Sequence, residues 1–337
     1  MKILYAIQGT GNGHVARALD VIPILKKIGK VDLVLSGNQS DIQLPWEVKY
    51  RLHGASFIFG KQGGVDFWKT IKNISFSNFF YEMLKVPVRD YDLVINDFEP
   101  VVAWSCKLKL KQCIGISHQS AVLHKNAPKP KVQSLIGKLI LKYYAPTNKN
   151  YGFHFKTLGD GFFTPVIRKD IRAVMPTENN HFTVYLPSYS DETIVGFLKD
   201  YGEVNWEVFS KHNKKPFVFK NVKVQPVDKT GFVSSMVSSK GVLCNAGFET
   251  PAEALFLKKK LCVLPMKGQY EQQCNAEMLR SMGVPVFDTL QSVDKEQFKQ
   301  WLDNDETVNV DYADDTDWII STIVRAHSGH VKEPVFA

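Results

Sequence analysis

The 337-residue sequence contains no run approaching the roughly 20 uninterrupted apolar residues that a membrane-spanning helix needs. It has no C-x-x-C pair: Cys106, Cys113, Cys244, Cys262 and Cys274 are odd in number and scattered. A disulfide framework or a zinc site is therefore not expected, and thiols set in apolar runs fit a reducing cytoplasm. No D-x-D motif stands in a strand-end loop suited to a metal, and Asp314-Asp315-Thr316-Asp317 reads as a solvated turn before a last helix around Trp318–His327. Short internal repeats and low-complexity segments are also missing. Met1-Lys2 is followed only by the apolar run Ile3–Ile7 and then glycines, the pattern of a first strand rather than of a signal peptide.

The most local deficit is of negative charge. Between Glu99 and Asp160 there is no acidic residue, while the same stretch carries ten lysines. The net charge of +8 is thus concentrated, which calls for an anionic partner or a membrane surface, with a solvated basic face as the plain alternative. Lys131, Lys138 and Lys142 recur at helical spacing against Leu135, Ile136, Leu139 and Tyr143. Upstream, Phe67, Trp68, Ile71, Phe76, Phe79, Phe80, Tyr81 and Met83 form an aromatic-rich stretch. Basic and aromatic faces together suit an anionic membrane surface, engaged through 125–144; the alternative is that the apolar side is core. No nucleic-acid module accompanies the charge, so nucleic acid is not expected as a partner.

What is present is an alternation of short apolar strands and helical patterns, which argues for parallel α/β layers. The length suits two domains, expected at 1–163 and 164–337, with a linker near Phe162–Ile171 and the final helix packing back on the first domain. Strands are expected at Lys2–Ile7, Val31–Leu35, Asp92–Ile95, Cys113–Ile116, Thr183–Leu186, Gly241–Cys244 and Leu261–Leu264. Helices are expected at Val15–Ile28, Val101–Leu108, Asp191–Asp200 with Ser190 as N-cap, Thr250–Leu257 and Glu271–Met282.

Three stretches carry chemistry. Gly9-Thr10-Gly11-Asn12-Gly13-His14 joins a strand to a helix, where glycines let a ligand approach the helix N-terminus. It does not fit G-x-G-x-x-G, and the second strand ends in Ser36-Gly37 rather than an acid, so NAD binding is disfavoured. His14, at the carboxyl edge of the strands, is placed to take a proton from a hydroxyl; a polar cap is the bland alternative. Asp97, after the strand at Asp92–Ile95, could orient that imidazole, with Glu99 as the rival for that role; the bland alternative for Asp97 is a cap on the following helix. The third stretch, Leu243 to Leu255, is a strand, a small-residue turn and a helix with Pro251 in its first turn. Its exposed amides form an anion site, and Glu253 can accept hydrogen bonds from a ribose diol. The polar loop Pro265 to Gln269 then feeds a helix that opens with Glu271, Gln272 and Gln273.

These motifs together resemble the GT-B glycosyltransferases, specifically family 28 and the related UDP-glycosyltransferases. The resemblance implies two Rossmann-like domains facing across a cleft, acceptor in the first and nucleotide sugar in the second. It implies His14 as base and Asp97 as its orienting carboxylate, with Gly11, Asn12, Gly13 and Glu99 on the acceptor side. It implies that Asn245, Ala246, Gly247, Phe248, Glu249 and Thr250 hold the diphosphate and Glu253 the ribose, while Gln269, Glu271, Gln272 and Gln273 hold the sugar. Asn245 stands where many such enzymes have histidine, Ala246 replaces the first glycine of the donor turn, and Asn12 interrupts the first glycine run. The implied reaction is inverting, metal-independent transfer of a hexose from a nucleoside diphosphate, UDP by resemblance, to an acceptor hydroxyl that is lipid-linked or at the inner face of the cell membrane. No cofactor is implied. The rivals are a UDP-sugar 2-epimerase or hydrolase of the same fold, and a non-catalytic nucleotide-sugar-binding protein.

Overall fold

The structure is a computed structural model that describes residues 1–37, 40, 42–54 and 76–328. Phe67, Trp68 and Ile71 of the aromatic stretch lie outside the described residues. Two sheets organise the chain. The first contains β1 (Lys2–Gln8), β2 (Lys30–Ser36), β3 (Tyr50–Leu52), β4 (Leu93–Asp97), β5 (Ile114–Ile116), β6 (Lys149–Phe153) and β7 (Phe162–Phe163), all parallel, in the order β3-β2-β1-β4-β5-β6-β7. The second contains β8 (His181–Tyr185), β9 (Asn205–Ser210), β10 (Phe217–Phe219), β11 (Val222–Pro226), β12 (Gly241–Asn245) and β13 (Lys260–Leu264), in the order β10-β11-β9-β8-β12-β13. Only β10 runs antiparallel to its neighbour.

The strand order reverses direction at β1/β4 in the first sheet and at β8/β12 in the second. A crevice opens at the carboxyl ends of such a pair, because the connections leave to opposite faces. In register, Ile7 of β1 stands beside Asp97 of β4, so the turn after β1 and the loop after β4 share one rim. β12 ends at Asn245 beside Leu264 of β13, which places the donor turn at the matching rim of the second sheet.

The central strands are buried on both faces, as parallel sheets covered by helices require: Ile3 to Ile7 and Val242 to Cys244 are fully inaccessible. One apolar cluster joins the halves, uniting Ile3, Val15 and Ile22 with Phe155, Phe248, Leu255, Ile319 and Ile323. The helix Thr316–His327 lies along the helix Asn12–Ile28, with Lys27 and Asp317 paired at 3.2 Å at the exposed end.

Some elements differ from the sequence reading. The first helix begins at Asn12 rather than Val15; His14 is in its first turn, as expected, and Arg17 stands one turn further on. The stretch expected as linker supplies strand β7, the short helix Lys169–Arg172 and a buried ion-pairing residue, Arg168. β3, β6, β9, β10 and β11 have no counterpart in that reading; β9 and β11 alternate polar with apolar residues rather than forming an apolar run.

Candidate active site

The helix Asn12–Ile28 starts from Gly11, in extended backbone without a side-chain cap. Its first turn projects His14 toward β4, where His14 Nδ1 lies 2.8 Å from Asp97 Oδ1. Asp97 is completely buried. Arg17, three residues along the same helix face, clamps it with Nε and Nη2 at 2.7 to 3.0 Å. Burial alone would raise the Asp97 carboxyl, but Arg17 and then His14 hold it below the usual carboxylate range. An ionised carboxylate only accepts, so Nδ1 carries the proton and donates it to Asp97. The Arg17 Nη2 to Nδ1 approach of 3.1 Å is then a proximity between two donors sharing one acceptor. At the other ring edge Gln119 Nε2 stands 3.4 Å from His14 Nε2. The amide is held to Glu271 Oε2 at 3.0 Å, so its N–H2 faces the imidazole and leaves Nε2 as the lone-pair nitrogen. This is the tautomer a base needs.

His14 lines a cavity of about 290 Å³ between the halves, together with Gly247, Phe248 and Glu249 of the donor turn and Gln269, Glu271 and Gln272 beyond it. Two further cavities, of about 670 and 380 Å³, continue past Gly247 and Thr250 toward Asn12, Glu253 and Asn245. Gly11 and Gly13 line this cleft as well. Gly13 lies close against the Glu249 carboxylate: a Cβ there would stand 2.5 Å from Oε2 and would have to push that side chain aside. Glu249 in turn receives Arg17 Nη1 at 2.9 Å, so one guanidinium bridges the halves.

Glu253 is buried and held by Arg168 through Nε at 2.5 Å and Nη2 at 3.0 Å, at the wall of the largest of these cavities. Burial raises its carboxyl and Arg168 opposes the rise. Burial likewise raises Glu271, against the Gln119 hydrogen bond. Three amide oxygens in the wall of the His14 cavity, Gln8 Oε1, Gln119 Oε1 and Gln269 Oε1, are buried without a hydrogen-bond partner, as is the Tyr270 hydroxyl. Unpaired buried acceptors are costly, and these gather around a single cavity.

Several expectations need correction. Glu99 does not face an acceptor. It is fully buried, caps the helix Pro100–Leu108 through Val101 N and Val102 N, and accepts from Ser36 Oγ. Burial pushes its carboxyl up to about 7. The two demands, Asp97 toward the helix and Glu99 into its own cap, leave Phe98 between them at φ 57°. The left-handed region costs a non-glycine residue roughly 1–3 kcal/mol. Asn245 spends its amide nitrogen on Leu264 O at 2.8 Å and its oxygen on Ser188 Oγ, although it remains at the cavity edge. Ala246 is buried, its N–H donated to Leu264 O, so the usable donor turn is Gly247 to Thr250. Gln273 lines none of the three cavities that make up the cleft, because it sits about 100° around the helix from Gln272.

Arg17, Gln8, Gln119, His118 and Arg168 escaped the sequence reading. Arg17 had a signal, a cation one helical turn after His14. His118 had none. It stacks on Phe248 at 3.8 Å and bonds Asn275 across the cleft at 2.7 Å, and burial pushes its imidazole down to about 4. Among the described residues, no group of three His, Cys, Asp or Glu side chains could hold a metal, and all five cysteines are free and buried.

The same fold is found in solved structures. The chain is similar to UGT89C1 of Arabidopsis thaliana in complex with UDP-L-rhamnose, with a TM-score of 0.60 at 11% identity, over 98% of this chain and 95% of that one. It is similar to MurG of Acinetobacter baumannii, with a TM-score of 0.53 at 13% identity, over 99% and 97%. It is similar to the glycotransferase of kitacinnamycin, with a TM-score of 0.56 at 12% identity, over 98% and 96%. No curated protein sequence matches the chain. At these identities the structures establish the GT-B fold, with two Rossmann-like units on either side of the cleft. The profile of glycosyltransferase family 1 matches residues 1–304, and the chain belongs to that family of transferases.

Proposed function

We propose that the chain transfers a hexose from a nucleoside diphosphate, UDP first among candidates, to an acceptor hydroxyl with inversion and without a metal ion. The observation that carries this reading is the His14 Nε2 lone pair opening into the same cavity as the donor turn and Glu271. The acceptor hydroxyl takes the place of the Gln119 amide at Nε2 and gives its proton to His14. The acceptor oxygen then bonds to the anomeric carbon as the bond from that carbon to the phosphate oxygen breaks, and the nucleoside diphosphate leaves with the electron pair. Backbone amides at the N-terminus of the helix Glu249–Phe256 stabilise that charge. Glu271, Gln272 and the unpartnered amide oxygens receive the sugar hydroxyls, and Glu253 the ribose.

Thermal-shift titration with UDP, dTDP, GDP and NAD, without added metal, tests the donor half. At 100 times its Kd a ligand adds about 2.7 kcal/mol of stability. One nucleoside diphosphate should stabilise the protein and lose most of that effect in Glu253→Gln, which keeps the shape beside Arg168. Absence of a shift with every nucleotide would remove the donor reading.

The acceptor side carries a second observation. Val132, Leu135, Ile136, Leu139 and Tyr143 are 47 to 86% exposed, interleaved with exposed Lys131, Lys138 and Lys142. In the helix Leu135–Tyr143 the core-facing residues are Gly137 and Leu141 instead. No helix among the described residues is long and apolar enough to cross a membrane. We infer that this helix docks on an anionic bilayer that presents a lipid-linked acceptor. Flotation with phosphatidylglycerol vesicles at low salt should carry the protein up, and Leu135→Asp/Leu139→Asp should abolish it; wild-type protein left at the bottom of the gradient would refute the docking.

A further inference from the structure

On the other side of Phe98 lies a cavity of about 390 Å³, separate from the cleft. Phe98 and Leu141 line both this cavity and the one that holds His14, so these two side chains form the partition. Phe98 is fixed there by its left-handed backbone and by its ring, 4.9 Å from that of Tyr144 and 6.2 Å from the His14 imidazole.

The wall of this cavity is drawn from residues 96–162, nearly all of it the stretch that lacks acids, and no carboxylate lines it. Lys107, Lys142 and His124 do. Aromatic rings flank the two ammonium groups: Lys107 Nζ is 5.1 Å from the Trp104 ring and Lys142 Nζ 5.2 Å from the Tyr143 ring. On the floor, Asn150 Oδ1 accepts from Ser120 Oγ at 3.1 Å and Thr147 Oγ1 at 2.6 Å. That leaves the Asn150 amide N–H groups as its donating end. Two cations and an amide donor, with no counter-charge, complement an anion.

We propose that this cavity is an anion subsite for a phosphate carried by the acceptor, and that Phe98 and Leu141 are the wall past which the acceptor hydroxyl reaches His14. The assignment rests on the first half being the acceptor side of the transferase proposed above. It gives the acid-free stretch a role besides docking, since Lys107 and Lys142 line a cavity, Lys142 at the edge of the exposed apolar face. The acceptor is then a phosphorylated molecule, and the phosphate belongs either to a soluble ester or to a lipid headgroup.

The test is a calorimetric titration of the full chain with glycerol 3-phosphate, UDP being held at saturation so that the donor turn is occupied. Glycerol serves as the neutral control. Binding should weaken about tenfold or more in Lys107→Gln/Lys142→Gln, as expected when charged hydrogen bonds are lost, and should weaken with added salt. Both lysines are exposed, and an unchanged melting temperature confirms that the variant folds. Equal affinity in the variant, equal binding of glycerol, or displacement of glycerol 3-phosphate by UDP would overturn the subsite. If UDP itself does not bind, the same titration without UDP decides the matter: lysine-dependent binding keeps the subsite while the donor reading falls. A short-chain phosphatidic acid distinguishes the sources. Affinity more than about tenfold above glycerol 3-phosphate, the gain from burying acyl methylenes, assigns the phosphate to a lipid, and equal affinity assigns it to a soluble ester.

Discussion

Replacing His14 by alanine should lower kcat by about 10²–10⁴-fold while leaving donor affinity close to that of the native protein, because a positioned base contributes a factor of that size and makes no ground-state contact with the nucleotide. The geometry makes this a clean substitution. Asp97 keeps its clamp from Arg17 when the imidazole is gone, so no buried charge is stranded. His14 is partly exposed to the cleft, and its removal opens space continuous with an existing cavity rather than an enclosed void. Steady-state kinetics with the donor identified by titration measures the effect, and near-native turnover in His14→Ala would take the residue out of the base role. Asp97→Asn should share the loss, since an amide can present either end to Nδ1 and no longer enforces the Nδ1–H tautomer, but it perturbs Arg17 as well and is the less direct experiment.

The second large effect concerns folding. Arg17→Met should destabilise the protein by about 3–5 kcal/mol, the range found when one partner of a buried ion pair is removed. Arg17 is 2% exposed and Asp97 not at all, so neither charge has water to fall back on. With methionine at 17 the Asp97 carboxylate keeps His14 but loses the larger of the interactions that now override burial. The pH dependence follows. In the native protein the Asp97 carboxyl is depressed below its unfolded value, so its contribution is present above the ordinary carboxylate range and is lost as pH falls through the folded value. In Arg17→Met that contribution should disappear, flattening the acid limb of the stability profile. Urea unfolding across pH checks both statements. A loss under about 1 kcal/mol would show that the pair is not a stabilising element. Arg17→Lys should rescue poorly, because a point charge cannot serve two oxygens of Asp97 and one of Glu249 at once.

The fold and the contact between His14 and Asp97 were legible because they follow from local rules. Short buried strands ended by polar or glycine-containing turns give β1, β4 and β12; the first two place His14 and Asp97 at one rim, and the third places Gly247 at the rim of the second sheet. What stayed hidden depends on partners far along the chain. Gln119 matters because Glu271, 152 residues away, fixes the face of its amide. Arg168 looks like a linker residue until Glu253 is seen beside it. Glu99 and Asp97 are two residues apart and chemically alike, and only the direction of the following helix decides that one caps it and the other meets the imidazole. The apolar side of Leu135–Tyr143 has the pattern of a core helix, and burial rather than periodicity shows that it points outward.

Arg17 and Asp97 belong to the same half of the molecule, whereas Glu249 and Glu271 belong to the other. If the halves part to admit substrates, Arg17 surrenders Glu249 but keeps Asp97, and the imidazole stays oriented. Gln119 at the same moment loses Glu271, the contact that fixes which end of its amide meets His14. The orientation of the imidazole by Asp97 is therefore internal to one half, while the Arg17–Glu249 and Gln119–Glu271 contacts join the two, so the imidazole and the wall around it rest on separate sets of partners.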